Sequence, residues 1–173
     1  MGNGFVDLNY GLNLTASFRN WDASMYMYGA LGQDILSWSK CYLITLRNEN
    51  NGFFNLLEDA AKDTWTPSNP NAKYPRLSRN DDSGNYRISD YFVENGNYLK
   101  ISNFQIGYTF DKNILGNALR SARVYASIQN LATFSPYKKY GDPEVQGGVT
   151  TTGYDSGRYP FPRTFMFGVQ IGL

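Results

Sequence analysis

The chain has 173 residues, a net charge of +1, one cysteine and no histidine. So balanced a charge excludes a dedicated nucleic-acid binder, which would carry a basic stripe, and the lone Cys41 cannot form an intrachain disulfide. Without histidine there is no His-based acid–base catalysis, no Ser-His-Asp triad and no His-containing zinc site.

Residues 1–7 have neither a basic n-region nor an apolar h-region and do not read as a signal peptide. From Leu8 the chain alternates. Leu8, Tyr10, Leu12, Leu14, Ala16 and Phe18 interleave with Asn9, Gly11, Asn13, Thr15, Ser17 and Arg19. Successive strand side chains point to opposite faces, so one face is apolar and the other polar. The run exceeds the roughly 9–11 residues with which a tilted strand crosses a bilayer. A turn at Arg19 and Asn20 follows. Trp21, Ala23, Met25 and Met27 then alternate with Asp22, Ser24, Tyr26 and Tyr28, closing a hairpin.

Residues 32–97 form a long excursion. Ile35, Trp38, Tyr42 and Leu46 fall at helical spacing, as do Phe53, Leu57, Ala60 and Thr64, with residues 48–52 separating the two predicted helices. Residues 65–70 are broken by prolines. Residues 80–85 are a polar turn that lacks the acid spacing of a calcium loop.

Phe104, Ile106, Tyr108 and Phe110 give a third strand. Leu99 and Ile101 have the opposite parity, so a β-bulge is expected near Ser102 and Asn103. Ala122, Val124, Ala126 and Ile128 alternate with Arg123, Tyr125, Ser127 and Gln129 in a fourth strand. Residues 134–162 are a loop rich in Pro, Gly and Tyr. The last ten residues alternate to the end, with Phe165, Phe167, Val169, Ile171 and Leu173 on one face. Termini fray unless something ties them down. A barrel's final strand, which faces lipid, closes the sheet and is read by the barrel-assembly machinery, has reason to be this regular.

The expected fold is therefore all-β, an antiparallel meander of five long strands at about 8–19, 21–31, 98–110, 122–133 and 163–173, with short helices in a long loop. Links after strands one and three are short, and those after two and four are long. Bacterial outer-membrane barrels sort their loops this way, with short periplasmic turns and long extracellular loops. Strands one, three and five then run toward the periplasm. Phe18, Trp21, Tyr108 and Phe110 fall at the periplasmic aromatic girdle, and Leu12, Leu14, Ile106, Val124 and Val169 face lipid. Arg19, Asp22, Arg123 and Gln129 face the lumen, where water or a plug domain accounts for them.

No catalytic constellation or metal site emerges, and no cofactor is expected. Asp81 with Asp82, and Glu58 with Asp59, read as solvated charges, as do Lys138 and Lys139. Ser24 and Ser127 have no base nearby in sequence. The loop aromatics Trp38, Tyr42, Trp65, Tyr74, Tyr137, Tyr140, Tyr154 and Tyr159 are candidates for a substrate or partner surface, because Tyr and Trp faces stack on sugars and anchor partners at low entropic cost. Packing the loops against each other is the alternative for each.

Four ordered segments carry a resemblance: Trp65-Thr-Pro-Ser-Asn-Pro-Asn-Ala-Lys-Tyr-Pro-Arg-Leu-Ser78; Ser89-Asp-Tyr-Phe-Val-Glu-Asn-Gly-Asn-Tyr-Leu-Lys-Ile-Ser-Asn-Phe-Gln-Ile-Gly-Tyr-Thr-Phe110; Arg123-Val-Tyr-Ala-Ser-Ile-Gln-Asn-Leu131 with Tyr140-Gly-Asp-Pro-Glu-Val145; and Tyr159-Pro-Phe-Pro-Arg-Thr-Phe165. Together with residues 7–32 they resemble the C-terminal end of the SusC/RagA family of TonB-dependent outer-membrane transporters. The resemblance implies a 22-stranded barrel plugged by an N-terminal domain, a TonB-contacting segment before the plug, a SusD-like surface lipoprotein over the mouth, and import of glycan or peptide fragments. On that footing residues 1–173 are expected to be the last part of the barrel, without plug or TonB box, in the bacterial outer membrane, with no enzymatic or autonomous activity. Family barrels usually end on an aromatic, whereas this chain ends on Leu173. A second reading stays open: a soluble β-rich carbohydrate-binding module using the loop aromatics. Its strands would be shorter, with turns every 8–12 residues, and residues 32–97 fit that poorly.

Overall fold

The structure is a computed structural model that describes residues 2–46, 55–78, 81, 83–115, 119–145, 148 and 150–172. In chain order its elements are β1 (Leu8–Phe18), β2 (Trp21–Leu31), β3 (Asp34–Ser37), α1 (Trp38–Ile44), α2 (Glu58–Lys62), a 3₁₀ turn (Asp90–Phe92), β4 (Val93–Asn95), β5 (Tyr98–Thr109), α3 (Lys112–Leu115), β6 (Ser121–Phe134), a second 3₁₀ turn (Pro136–Lys139), β7 (Tyr154–Asp155) and β8 (Thr164–Gly172). They divide into two units. One holds Asp7–Leu31, Asn97–Ser135 and Pro160–Leu173; the other holds Met1–Val6, Gly32–Gly96 and Pro136–Tyr159.

The first unit is a five-stranded sheet in the order β1-β2-β5-β6-β8, antiparallel throughout. This is the predicted meander. β1 and β2 have 11 residues each, about 37 Å of extended chain at about 3.4 Å per residue. Tilted by about 45°, such a strand rises about 26 Å, which matches the apolar band of about 25 Å on outer-membrane barrels.

The register aligns the apolar residues of all five strands on one face. Leu14 lies opposite Met25, Met25 opposite Phe104, Phe104 opposite Ile128 and Ile128 opposite Phe165. One rung nearer the short turns runs Ala16, Ala23, Ile106, Ala126 and Phe167. This face is uncovered: Leu12 is 49% exposed, Val169 65% and Phe167 84%. A soluble two-layer domain buries its apolar sheet face against another layer, whereas these side chains stay exposed among the described residues. At the short-turn end Phe18 lies opposite Trp21 and Trp21 opposite Tyr108. The Trp21 and Tyr108 rings meet edge-on at 4.9 Å, and Tyr108 and Phe110 at 5.2 Å.

The phase change in β5 is a bulge. Between Ile101 and Asn103 the pairing with both neighbours shifts. Ser102 is the extra residue against β2. Against β6, Asn130 and Leu131 lie between partners, with Asn130 at φ +54°. Leu99 and Ile101 thereby share the apolar face with Phe104.

The second unit contains the hydrophobic core. Its small sheet has the order β4-β3-β7, with β3 antiparallel to β4 and parallel to β7. Ser37 caps α1 by accepting from the Lys40 amide at 3.0 Å. Cys41, Ile44, Ala60, Tyr74 and Phe92 form the core, with Leu36, Trp38 and Leu57 packed on it.

Several expectations are corrected. Ile35 lies in β3, because Asp34–Leu36 pairs with Val93–Asn95, so the first helix starts only at Trp38 and stops before Leu46. α2 is a short turn of helix that ends before Thr64. Thr64 instead forms a bridge with Tyr74. Arg19 is the first residue of the hairpin turn, at φ +53°, with its guanidinium 5.3 Å from the Phe18 ring centre. It is no strand residue on the polar face. Phe110 follows β5. Residues 48–52, Phe53, Asp82 and Leu173 lie outside the described residues.

Candidate functional site

The polar face of the large sheet is built around glycines. Gly107 of β5 is paired with both Asp22 of β2 and Tyr125 of β6. Having no side chain, it lets Arg123 reach across to Asp22; a Cβ at Gly107 would strike that guanidinium. Arg123 donates from Nε to Asp22 Oδ1 at 2.9 Å, from Nη2 to Asp22 Oδ2 at 2.5 Å, and from Nη1 to Gln170 Oε1 at 3.1 Å. The fork is bidentate and spans three strands, a geometry Lys could not reproduce. Gln129 is exposed opposite Thr164. The structure thus brings Asp22 and Arg123 together and leaves Gln129 and Arg19 apart from them.

Sequence reasoning missed Lys100. It lies on the polar face opposite Tyr28 and Thr133 and is 2% exposed. Its Nζ is 4.4 Å from the Phe161 ring centre and 5.9 Å from that of Tyr28, within cation–π range. The signal was present: once a bulge at Ser102 is accepted, Lys100 falls among the polar positions.

In the second unit the loop aromatics separate by burial. Tyr137 is fully buried. Its hydroxyl donates to Asp155 and lies 2.6 Å from Ser37 Oγ. Ser39 Oγ also donates to Asp155, at 3.1 Å. Burial, then the bond to Asp155, pushes the Tyr137 phenol well above its ordinary range. Its place is the interior of this unit, where it joins β3 to β7. Trp38 Nε1 donates to Tyr42 Oη at 2.7 Å, one helical turn apart, and both are half-buried. Tyr154 lies in β7 and pairs with Leu36. Tyr140 sits beside two lysines, Lys40 and Lys139, and burial raises its phenol. Only Trp65 and Tyr159, at 37% and 91% exposure, offer much of their rings to solvent.

Charges expected to be solvated are partly paired. Lys139 binds Asp59 at 2.6 Å and donates to Tyr74 Oη at 3.2 Å. That bond lowers the Asp59 carboxyl and raises the Lys139 ammonium. Glu58 pairs with Lys62 one turn on. Lys40 pairs with Glu94 at 2.6 Å, its Nζ 4.3 Å from the Tyr91 ring centre.

No family model matches the chain. The TonB-dependent receptor P3 of Formosa agariphila is 30% identical over 179 residues, covering 99% of this chain and 17% of that protein. The TonB-dependent receptor P26 of the same organism is 30% identical over 180 residues, again with 99% and 17% coverage. The TonB-dependent receptor SusC of Bacteroides thetaiotaomicron is 36% identical over 90 residues, 51% of this chain and 8% of that protein. Among solved structures, the RagAB peptide importer in its closed-closed state superposes with a TM-score of 0.78 at 20% identity, over 97% of this chain and 17% of that one. That likeness is one of fold. The chain spans about one sixth of the length of the relatives first named.

Proposed function

This chain belongs to the SusC/RagA family of TonB-dependent receptors, and from that premise we propose that it is the C-terminal part of the barrel of an outer-membrane nutrient importer. The observation that carries the proposal is the uncovered apolar face, in register across five strands of membrane-crossing length, backed by a polar face with a buried lysine and an Arg–Asp fork. Lipid is the partner that such a face fits, and residues 1–173 form one barrel segment whose loop unit lies outside the cell. The polar face, with Asp22, Arg123 and Gln129, lines the lumen or meets a plug. The strand Phe165, Phe167, Val169, Ile171 and Leu173 is what the barrel-assembly machinery would engage.

Transport here is a conformational event without bond chemistry, so the protein is no enzyme. Its cargo is a glycan or peptide fragment. TonB supplies the energy through the N-terminal region of the whole protein, and a SusD-like lipoprotein covers the mouth. The relatives motivate these partners: one is the TonB-dependent receptor SusC, and another is the RagAB peptide importer. The test is fractionation of cells that make the protein, followed by uptake of labelled oligosaccharides and peptides with and without TonB. The protein should sediment with the outer membrane, and uptake should stop without TonB. Recovery in the soluble periplasmic fraction would overturn the reading and favour the binding-module alternative.

A further inference from the structure

Within the loop unit a cleft of about 620 Å³ opens between the segment around Trp65–Arg76 and the turn at residues 83–89. That volume suits a small-molecule site. The first wall is fixed by backbone bonds: Trp65 N donates to Tyr74 O at 2.9 Å and Tyr74 N to Asp63 O at 3.1 Å. The second is a turn wound around Asp81, whose carboxylate accepts the amides of Asn85 at 2.5 Å and Tyr86 at 3.0 Å. Gly84 in this turn has φ +66°. A Cβ there would lie 3.2 Å from Arg87 Nε, so the guanidinium rests against the bare backbone. Tyr91 joins the two walls, donating to the Lys73 carbonyl at 3.3 Å. Partial burial pushes its phenol up to about 12.

The lining has a clear chemical bias. It carries Lys73, Arg76 and Arg87, and no carboxylate among the described residues. Arg76 and Arg87 are exposed and make no ion pair among the described residues. Trp65 and Tyr91, each more than a third exposed, add aromatic surface, and Ser83, Asn85 and Ser89 add polar groups. Among the described residues no Leu, Ile, Val, Met or Phe lines it. A peptide bound by strand addition or as an amphipathic helix would want a free strand edge or an aliphatic groove, and the described lining offers neither. A sugar presents hydroxyls and C–H faces that suit such rings, and guanidinium forks match carboxylate or sulfate.

We infer that this cleft binds an acidic oligosaccharide, its carboxylate or sulfate groups held by Lys73, Arg76 and Arg87 and one ring stacked on Trp65. The inference rests on the importer reading above and names the cargo class that the outer loops capture.

The test uses the whole receptor that carries these residues, purified in detergent micelles, with binding read by titration calorimetry. The probes are a galacturonic acid hexamer, the neutral maltohexaose and a hexaglutamate peptide. The acidic sugar should bind about tenfold or more tighter than either other probe. Arg76→Ala with Arg87→Ala should weaken it by about tenfold or more, and Trp65→Ala should weaken it severalfold. Raising salt from about 50 mM to about 500 mM should also weaken it for the unaltered chain, which keeps the inference testable if the double variant fails to fold. Equal affinity for maltohexaose, tighter binding of hexaglutamate, or no binding of the acidic sugar overturns it. Outer-membrane fractionation does not depend on the ligand. A protein found in that membrane without affinity for the acidic sugar therefore sinks this inference alone.

Discussion

At the scale of single residues, the same aromatic type does opposite jobs in the two units. Tyr137 is buried to hold Asp155 and Ser37, whereas Trp21 is 52% exposed with its ring against Tyr108. Exposing an indole to water on both sides wastes its apolar area. Placing it at a lipid boundary does not, because the ring is buried while Nε1 stays near water. Trp21 is therefore expected to contact acyl chains near the headgroups. With Trp38→Phe and Trp65→Phe as background, Trp21 is the only tryptophan left. Its fluorescence should be strongly quenched in micelles containing lipid brominated high on the acyl chain, and little quenched by aqueous iodide. The reverse order of quenching would remove Trp21 from the girdle.

At the scale of elements, the large sheet depends on one irregularity. Without the shift at Ser102, either Leu99 and Ile101 or Phe104 and Ile106 would point to the polar side. Asn130, on the partner strand, takes the left-handed conformation at φ +54°, and its Nδ2 donates to the Pro162 carbonyl at 2.9 Å. Asn tolerates this region better than other non-glycine residues. Asn130→Ala should destabilise the sheet by about 1–2 kcal/mol, and Asn130→Gly by less, since glycine loses the side-chain bond but not the backbone fit. Denaturant unfolding in micelles measures both, and an alanine variant as stable as the original would deny the bulge its role. This bulge was legible from the sequence because long strands write their period into it, and a change of phase between Ile101 and Phe104 has few explanations. The five strands were legible for the same reason. β3, β4 and β7, of four, three and two residues, are too short to show a period, and their partners are distant in sequence. Ile35 was consequently counted with a helix it precedes. The Arg123–Asp22 fork was half legible: both residues were placed on the polar face, but their meeting needed the register and Gly107. The burial of Tyr137 had no local signal, because Ser37 and Asp155 come to it from distant segments.

At the scale of the whole molecule, the sheet has two ends and one greasy side. β1 pairs only with β2, and β8 only with β6, among the described strands. Each outer strand leaves backbone donors and acceptors unmatched on one side. In hydrocarbon each such group costs several kcal/mol, which is why spanning sheets close into barrels. In water the same edges template pairing with other chains. The apolar face adds to this, since Leu12, Leu14, Phe165, Phe167 and Val169 stay exposed as part of one patch, and patches beyond a few hundred Å² drive association. The loop unit has a core of its own. The 173-residue chain in detergent-free buffer is therefore expected to associate through its sheet, and micelles should hold it dispersed by covering the apolar face. Analytical ultracentrifugation in both conditions checks this. Large, heterogeneous species should sediment in buffer, and a single small species in micelles. Leu14→Asp, Phe167→Asp and Val169→Asp together should shift the buffer distribution toward smaller species by breaking up the patch. A monodisperse, cooperatively melting monomer in plain buffer would mean that another surface of the chain covers the apolar face, and the barrel-segment reading would fall with it.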